Sequence, residues 1–111
     1  MNLLLQTPEP PYYAVIFTSR RSDVKEGYAA MNDSLVEKAK LLPGFIGEES
    51  VRDANGVGIS VSYWKDPESI RSWKSDAQHQ IAQRLGEDKW YTHYSVRICK
   101  VERDKSFALE E

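Results

Sequence analysis

Apolar and polar residues alternate in four stretches of the chain, a pattern typical of strands that present two different faces. The first stretch, residues 12–19, is dense in aromatic and β-branched side chains. Residues 45–52 and 58–64 alternate on either side of Asn55-Gly56, a strong short-range signal for a β-hairpin. Residues 90–101 form the last and longest alternating stretch. The pattern therefore predicts four strands, the middle two joined as a hairpin.

Two further stretches have helical spacing, with apolar residues at steps of three and four. The first covers residues 28–42 and ends at Pro43-Gly44. The second begins at Asp66, a predicted N-cap, followed by Pro67 at the first helical position, and it ends at Gly86. The apolar face of this second helix consists of Ile70, Trp73, Ala77, Ile81 and Leu85. We predict one helix before the hairpin and one after it.

This order of elements, βαββαβ, predicts an α+β, ferredoxin-like domain with an antiparallel sheet over residues 12–103. Residues 1–11 form an N-terminal arm that Pro8, Pro10 and Pro11 hold extended. The three leucines of this arm are expected to dock on the domain or on a partner subunit, or else the arm is a disordered tail. They are Leu3, Leu4 and Leu5. Residues 104–111 form a charged C-terminal tail.

Alternation also divides the predicted sheet into two faces. We place the more apolar set under the helices, and it consists of Val15, Phe17, Ile59, Val61, Tyr63, Tyr94, Val96 and Ile98. The other face is mixed, with Tyr12, Ala14, Ile16, Ser60, Ser62, Trp64, His93, Ser95, Arg97, Cys99 and Val101. Exposing its apolar part costs roughly 25 cal/mol per Å². Two mixed faces packed together in a homodimer would bury it, and the alternative is a monomer with a wet sheet face.

Composition narrows the class of protein. The net charge of −2, with basic residues spread along the chain, gives no footprint for nucleic acid or an anionic membrane. The single cysteine, Cys99, excludes an internal disulfide and fits a reducing compartment. The sequence has no apolar run long enough to span a membrane and no signal peptide pattern at its start. We expect a cytoplasmic protein.

Several segments together carry a resemblance to a known family. They are residues 43–50, residues 58–64, the spacing from Trp64 to Trp73, and Trp90-Tyr91 with Tyr94, Arg97, Val101 and Arg103. In these segments the chain resembles the antibiotic biosynthesis monooxygenase family, and most of all its small stand-alone bacterial members. The resemblance implies a homodimer in which two ferredoxin-like halves form an α+β barrel. It also implies oxygen chemistry without metal or flavin, on aromatic or quinol-like substrates.

A related branch of that family degrades haem and differs at two of three positions. That branch has an Asn on the first strand, a Trp on the second helix, and a haem-binding His about three turns further on. Trp73 matches the Trp, including its nine-residue offset from Trp64. Tyr13 occupies the Asn position, and Ala82 or Gln83 occupies the His position. Haem degradation is therefore the disfavoured third hypothesis.

An oxygenase without a cofactor needs an electron-rich substrate, a base to deprotonate it, and a dry aromatic pocket. His79 is the candidate base, because an imidazole titrates near neutral pH. Trp73 is placed to wall the pocket, and Tyr94 to donate a hydrogen bond to a substrate oxygen. Ala82 and Gly86 lie on the side of the helix that carries His79 and leave room for another surface. Each of the three candidates also has a plain structural interpretation, as a core, interface or surface residue.

Five further residues are predicted to contact the substrate: Tyr63, Trp64, Trp90, His93 and Arg97. The last two share one face of the final strand and could hold an anionic oxygen, or make hydrogen bonds at a subunit interface. No metal is expected, because the two histidines have no carboxylate at ligand spacing. The leading hypothesis is thus a cofactor-independent monooxygenase for a small aromatic or quinol-like compound. The alternative is a non-catalytic ligand-binding or stress-response module of the same fold.

Overall fold

The computed structural model describes residues 4–109 as an antiparallel sheet with helices on one side. In chain order the elements are β1 (Tyr12–Arg21), α1 (Tyr28–Lys40), β2 (Phe45–Arg52), β3 (Val57–Trp64), α2 (Pro67–Ser75), α3 (Ala77–Leu85), a π-helical turn (Gly86–Trp90) and β4 (Tyr91–Val101). The four strands lie in the order β2-β3-β1-β4. The predicted ferredoxin-like α+β fold is confirmed.

The hairpin and the start of α2 form where the sequence indicates, with one difference in the turn. The loop has four residues, Asp53 to Gly56, in which the Asp53 carboxylate accepts bonds from the N–H of Asn55 (2.9 Å) and of Val57 (3.0 Å). Within this loop only Gly56 has a positive φ, of 85°, so the turn is not the two-residue type that Asn-Gly favours. The Asp66 carboxylate caps α2 by accepting from the Ser69 N–H at 2.8 Å.

The predicted second helix is broken in two at Asp76, which contradicts the continuous stripe expected from the sequence. The Asp76 backbone is extended (ψ 134°), and its carboxylate accepts bonds from the N–H groups of Gln78 and His79, so it caps a new helix. The break turns Ala77 and Ile81 out to solvent. Capping geometry has therefore overridden the apolar periodicity.

Gly86 also differs from its predicted role as a helix end. Its backbone is right-handed helical (φ −59°, ψ −49°), and the chain continues through a π-helical turn to Trp90. A Cβ at Gly86 would lie 2.9 Å from the Tyr91 ring. The position needs glycine for close approach rather than for chain reversal.

The core lies between the sheet and the C-terminal half of α1 with α2. Its buried members are Val15, Ala39, Trp64 and Ile70, against which Tyr13, Leu42, Phe45 and Trp73 pack. Trp64 is fully buried, and its indole N–H donates to the Ser62 hydroxyl at 2.9 Å. Because that bond satisfies the indole, the largest side chain of the core carries no unpaired polar atom.

Strand β3 presents the opposite face from the one predicted. Its register with β1 pairs Val15 with Ser62 and Phe17 with Ser60, and cross-strand partners share a face. Ser60, Ser62 and Trp64 therefore face the helices. The open face, meaning the side of the sheet without helices, instead carries Ile59, Val61 and Tyr63. The expectation that the more apolar set faces the helices is therefore wrong for these three β3 residues, and the helix side takes two serines where it encloses a partly polar cavity. It is correct for the other five members, which are Val15, Phe17, Tyr94, Val96 and Ile98.

The N-terminal arm crosses the open face. Leu5 lies against Gly47, where an added Cβ would come within 2.5 Å of the leucine Cδ1. The Leu5 N–H donates to Glu49 Oε2 at 3.3 Å. Leu4 is exposed, and Leu3 lies outside the described residues. Leu5 thus docks the arm on its own domain.

The arm and the C-terminal tail meet at the start of β1. The buried Tyr12 hydroxyl donates to Asp104 Oδ2 at 2.5 Å, and the Thr7 hydroxyl also donates to that carboxylate, at 3.2 Å. Burial and the bond to Asp104 together raise the pKa of Tyr12. These bonds hold both ends of the described chain against one edge of the open face.

Candidate functional site

A cavity of about 230 Å³ lies between the helices and the sheet. Its apolar wall includes Val15, Phe17, Met31, Leu35, Val36 and Ala39. Its polar lining includes His79, Lys74, Glu48, Arg52, Tyr28 and Tyr91. Pockets for drug-sized ligands start at roughly 300 Å³, so this cavity suits a small molecule. Apolar walls with a few polar groups are typical of such sites.

Two side chains that line the cavity have buried nitrogen atoms without hydrogen-bond partners in the described part of the chain. They are Trp73 Nε1 and His79 Nδ1, and the two rings lie 4.4 Å apart between centroids. An unsatisfied buried polar group costs about 1–3 kcal/mol, so such groups are rare and usually have a purpose. An indole nitrogen can only donate, so a partner for Trp73 Nε1 must be a hydrogen-bond acceptor.

The surroundings of His79 lower its pKa and favour the neutral imidazole. Burial lowers its pKa below the ordinary 6.5, the Lys74 ammonium lowers it further, and the Asp76 carboxylate partly opposes them. A neutral imidazole has one nitrogen that can accept a proton. Lys74 also lines the cavity, where a cation favours an anionic ligand atom. A proton acceptor and a positive charge therefore stand at the same end.

The break between α2 and α3 is what turns His79 toward the cavity. Burial alone would raise the pKa of Asp76, but hydrogen bonds from Lys38, His79 and Gln78 outweigh it and hold the pKa below its usual value. The Gln78 amide donates to the Ser34 hydroxyl and ties the start of α3 to the middle of α1. In this orientation α3 presents His79, Ala82, Gln83 and Gly86 to the cavity.

A second polar group at the cavity wall is a pair of tyrosines that the sequence did not reveal. The Tyr91 hydroxyl donates to the Tyr28 hydroxyl at 3.3 Å. Burial and this bond raise the pKa of Tyr91. The Arg21 guanidinium lies 3.3 Å above the centre of the Tyr28 ring. Tyr28 was read only as part of an apolar helix stripe, and no local signal links two residues 63 positions apart.

Of the predicted catalytic residues, the structure brings His79, Trp73 and Tyr94 to one cavity. The Tyr94 ring stacks on Phe17 (5.5 Å between centroids), and its hydroxyl donates to Glu87 Oε2 at 2.5 Å. That bond, with some burial, raises the pKa of Tyr94. The Tyr94 hydroxyl already has an acceptor, whereas the two buried nitrogens of Trp73 and His79 have no partner among the described residues.

The predicted substrate-binding residues divide between the two sides of the sheet. Trp90 lines the cavity with its indole N–H donating to the Glu26 carbonyl at 2.9 Å, whereas Trp64 lies in the core. Three others lie on the open face, away from the cavity, and are Tyr63, His93 and Arg97. Their partners there are Glu49 (3.1 Å), Thr92 (2.9 Å) and Ser95 (3.0 Å), respectively.

Within residues 4–109, no three side chains among the histidines, the cysteine and the carboxylates lie close enough together to hold a metal ion. No helix of the described chain is both long and apolar enough to cross a lipid bilayer. Ala82 and Gln83, at the histidine position of the haem-degrading branch, line the cavity, and Tyr13 packs against the core.

Comparison with known proteins gives two relatives by sequence. The uncharacterized protein YqjZ of Bacillus subtilis is 47% identical over 107 residues, which is 96% of this chain and 94% of YqjZ. The jasmonate monooxygenase ABM of Pyricularia oryzae is 29% identical over 92 residues, covering 80% of this chain but only 43% of that protein. No family model matches the chain.

Solved structures share the fold at low sequence identity. A Nitrosomonas europaea protein assigned to the antibiotic biosynthesis monooxygenases has a TM-score of 0.66 at 15% identity, over 86% of this chain and 93% of that one. A dimeric ferredoxin-like protein of unknown function from Thermobifida fusca has a TM-score of 0.62 at 14% identity, over 90% and 97%. The resemblance to antibiotic biosynthesis monooxygenase proteins is confirmed at the level of the fold.

Proposed function

The chain belongs to the same family as YqjZ of Bacillus subtilis and has the fold of antibiotic biosynthesis monooxygenase proteins, and from this premise we propose that it is a cofactor-independent monooxygenase. Its substrate would be a small aromatic or quinol-like compound. The fungal relative is a jasmonate monooxygenase by name, which supports the reaction class. The observation that carries the proposal is that Trp73 and His79, which line an aromatic-walled cavity, each have a buried nitrogen without a partner within residues 4–109.

The proposed reaction begins with proton transfer to His79. A neutral imidazole accepts the proton of a substrate hydroxyl, and general bases of this kind contribute about 10²–10⁴-fold to rate. The Trp73 N–H then donates to the resulting aryl oxide, and the Lys74 ammonium stabilises its charge. Both groups favour the anion over the neutral substrate. Binding energy is thus concentrated on the species that reacts with dioxygen.

The overall reaction balances without an added reductant. A hydroxyarene with a free para C–H plus O₂ gives a para-quinone plus water. The ring C–H and the O–H bonds are lost, and one oxygen atom forms the new C=O. The other oxygen atom leaves as water with both hydrogens, so the substrate supplies all four electrons. The cavity has to hold the anion, exclude bulk water and admit O₂.

Oxygen uptake with a panel of hydroxynaphthalenes and quinols tests this function. The wild-type protein is expected to consume O₂ with at least one compound and to form the quinone. His79→Gln, which keeps a polar side chain but no base of suitable pKa, is expected to lower kcat by about 10²-fold or more. His93→Gln on the open face serves as the matched control and should retain the wild-type rate.

The outcomes separate the enzyme from its alternative. Equal rates for His79→Gln and His93→Gln would contradict the role of His79. Saturable binding of panel compounds with no O₂ uptake would contradict the monooxygenase and leave the non-catalytic ligand-binding module. A time course of product by absorbance, matched to O₂ consumed, verifies the one-to-one stoichiometry.

We also propose that two copies associate through the open face. Val51 and Ile59 are 79% and 51% exposed there, and apolar area of this kind favours a protein partner over water. The Thermobifida fusca protein of the same fold is dimeric. Light scattering should give twice the chain mass, and Ile59→Lys should shift the protein to single chains. A wild-type protein that stays a single chain at micromolar concentration would contradict this proposal.

A further inference from the structure

The tyrosine pair at the cavity wall has a hydrogen-bonding group to spare. The Tyr28 hydroxyl accepts a bond from Tyr91, so its own proton is free for an acceptor. Within residues 4–109 no acceptor for that proton is present, whereas the hydroxyls of Tyr63 and Tyr94 both donate to carboxylates. Tyr28 and Tyr91 both line the cavity. The described chain leaves this hydroxyl as a donor toward whatever fills the cavity.

The position of the Tyr28 ring is fixed by its neighbours. The Arg21 guanidinium covers one face at 3.3 Å, and its Nε and Nη2 donate to the carbonyls of Trp90 (3.1 Å) and Val24 (2.9 Å). The Trp90 ring meets Tyr28 edge to face, 5.7 Å between centroids. A donor held this way loses little side-chain entropy when it binds a ligand.

The two polar groups of the cavity are separated along α1. Gln78, next to His79, contacts Met31 and Ser34 of α1. These residues lie three and six positions after Tyr28, which corresponds to about 5 and 9 Å along a helix axis. The cavity lining also includes apolar side chains, among them Phe17 and Leu35. A flat bicyclic molecule with an oxygen at each end would match this arrangement.

We propose that the Tyr28–Tyr91 pair is a second ligand subsite, which binds a neutral hydroxyl or carbonyl oxygen at the end of the substrate opposite its reacting hydroxyl. The substrate class is therefore a dioxygenated fused-ring aromatic. This rests on the proposed function for the His79 end, where the reacting hydroxyl binds. The raised pKa of Tyr91 keeps that phenol protonated, so Tyr91 remains a hydrogen-bond donor to Tyr28.

Anaerobic binding separates this subsite from turnover. Affinities of 1-naphthol, 2-naphthol and the 1,5-, 2,6- and 2,7-dihydroxynaphthalenes are measured by calorimetry without O₂, for wild type and for Tyr28→Phe. We expect at least one diol to bind about three- to tenfold more tightly than its mono-ol, the range of one net hydrogen bond. Tyr28→Phe, which keeps the ring and its contacts, should abolish that preference and leave mono-ol affinity unchanged.

Two further variants test whether the preference depends on the tyrosine pair. Tyr91→Phe removes the donor to Tyr28 and should weaken the preference for the diol, while the same diol isomer remains the preferred one. Thermal melts verify that the Tyr28→Phe and Tyr91→Phe variants fold. Tyr63→Phe removes a hydroxyl of the open face and should retain the full preference. A preference that survives Tyr28→Phe, or its absence in wild type, would overturn the subsite. A preference abolished by Tyr28→Phe with no O₂ uptake would uphold the subsite and refute the monooxygenase.

Discussion

Both sides of the sheet carry polar side chains, but these side chains are bonded differently. On the open face Tyr63 donates to Glu49, Arg97 donates to Ser95, and Tyr12 donates to Asp104. On the helix side Trp73 Nε1 and His79 Nδ1 are buried without a partner in the described chain. Polar residues alone therefore do not mark a ligand site. Buried polar atoms that the fold itself does not satisfy are the more informative signal.

The apolar residues differ in the same way. On the helix side several of them fill the core around Trp64 or line a cavity of about 230 Å³, while Ile98 on β4 stays 52% exposed. On the open face Val51 and Ile59 protrude into solvent, and Leu5 of the arm covers Gly47. One face has the shape of a small-molecule site, and the other has the character of a protein contact. Four changes test this contrast.

The largest expected difference is in stability. Trp64→Ala should lower the free energy of unfolding by about 3–5 kcal/mol, because it leaves a large hole beneath the cavity. Ile59→Ala, on the open face of the same strand and 51% exposed, should cost less than about 1 kcal/mol. Urea unfolding of both variants measures the difference. Similar losses would show that the two faces are equally packed.

The next largest effect is the pH dependence of stability that arises from the titration of His79. Its folded pKa lies below the ordinary 6.5. Above that pH both folded and unfolded chains hold it neutral, but at lower pH the unfolded chain takes up a proton that the folded chain resists. The free energy of unfolding should therefore fall as the pH drops below about 6.5.

The same group sets the expected acid limb of activity. With His79 as base, kcat/KM should fall only at pH values below about 6.5, because the neutral form persists down to the lowered pKa. His79→Gln should also remove its part of the fall in the free energy of unfolding below about pH 6.5, whereas His93→Gln should leave that fall unchanged. A half-maximal point above 6.5 would show that another group titrates.

A smaller effect is expected where the arm covers the open face. Gly47→Ala places a methyl group against Leu5, and the flexible end of a leucine on a terminal arm can move away. The free energy of unfolding should change by less than about 1 kcal/mol, while limited proteolysis cuts the arm faster. Ligand affinity in the cavity should stay the same. A change in that affinity would show that the two faces are coupled.

The smallest expected effect is a difference in stability between substitutions of two adjacent glutamates on β2. Glu48 lines the rim of the cavity, where burial raises the pKa of its carboxyl. Its charged form is disfavoured by folding, so Glu48→Gln should slightly stabilise the protein at pH 7, by less than about 0.5 kcal/mol after solvent screening. The gain should vanish as the pH falls toward 4.5, the ordinary value for this carboxyl.

Glu49 provides the control for that pair. It faces the opposite side and accepts bonds from the Tyr63 hydroxyl and the Leu5 N–H. Glu49→Gln should therefore give no stabilisation at pH 7. Thermal melts of the two variants at neutral and acidic pH check both expectations, and a gain for Glu49→Gln would show that general charge reduction is responsible.

Several residues of the candidate site could be predicted from residue type and helical spacing, but the helix break at Asp76 and the Tyr28–Tyr91 pair were not predicted. His79, Trp73, Ala82 and Gly86 were assigned to neighbouring parts of one helix, and all of them line the cavity. The spacing predicted one continuous helix because it weighs apolar steps alone. Asp76 is the signal in the sequence that indicates the break, because Asp is a common N-cap residue and here it caps α3.

The amino-acid sequence by itself determined the elements of this protein, because caps, turns and apolar periodicity act between near neighbours. Asn55-Gly56 placed the hairpin, and Asp66-Pro67 placed the start of α2. Only the tertiary structure decided which side of β3 meets the helices, because a period of two defines two faces without saying which one is buried. The pairing of Val15 with Ser62 settles that choice, and with it the cavity that Tyr28 and Tyr91 share with His79.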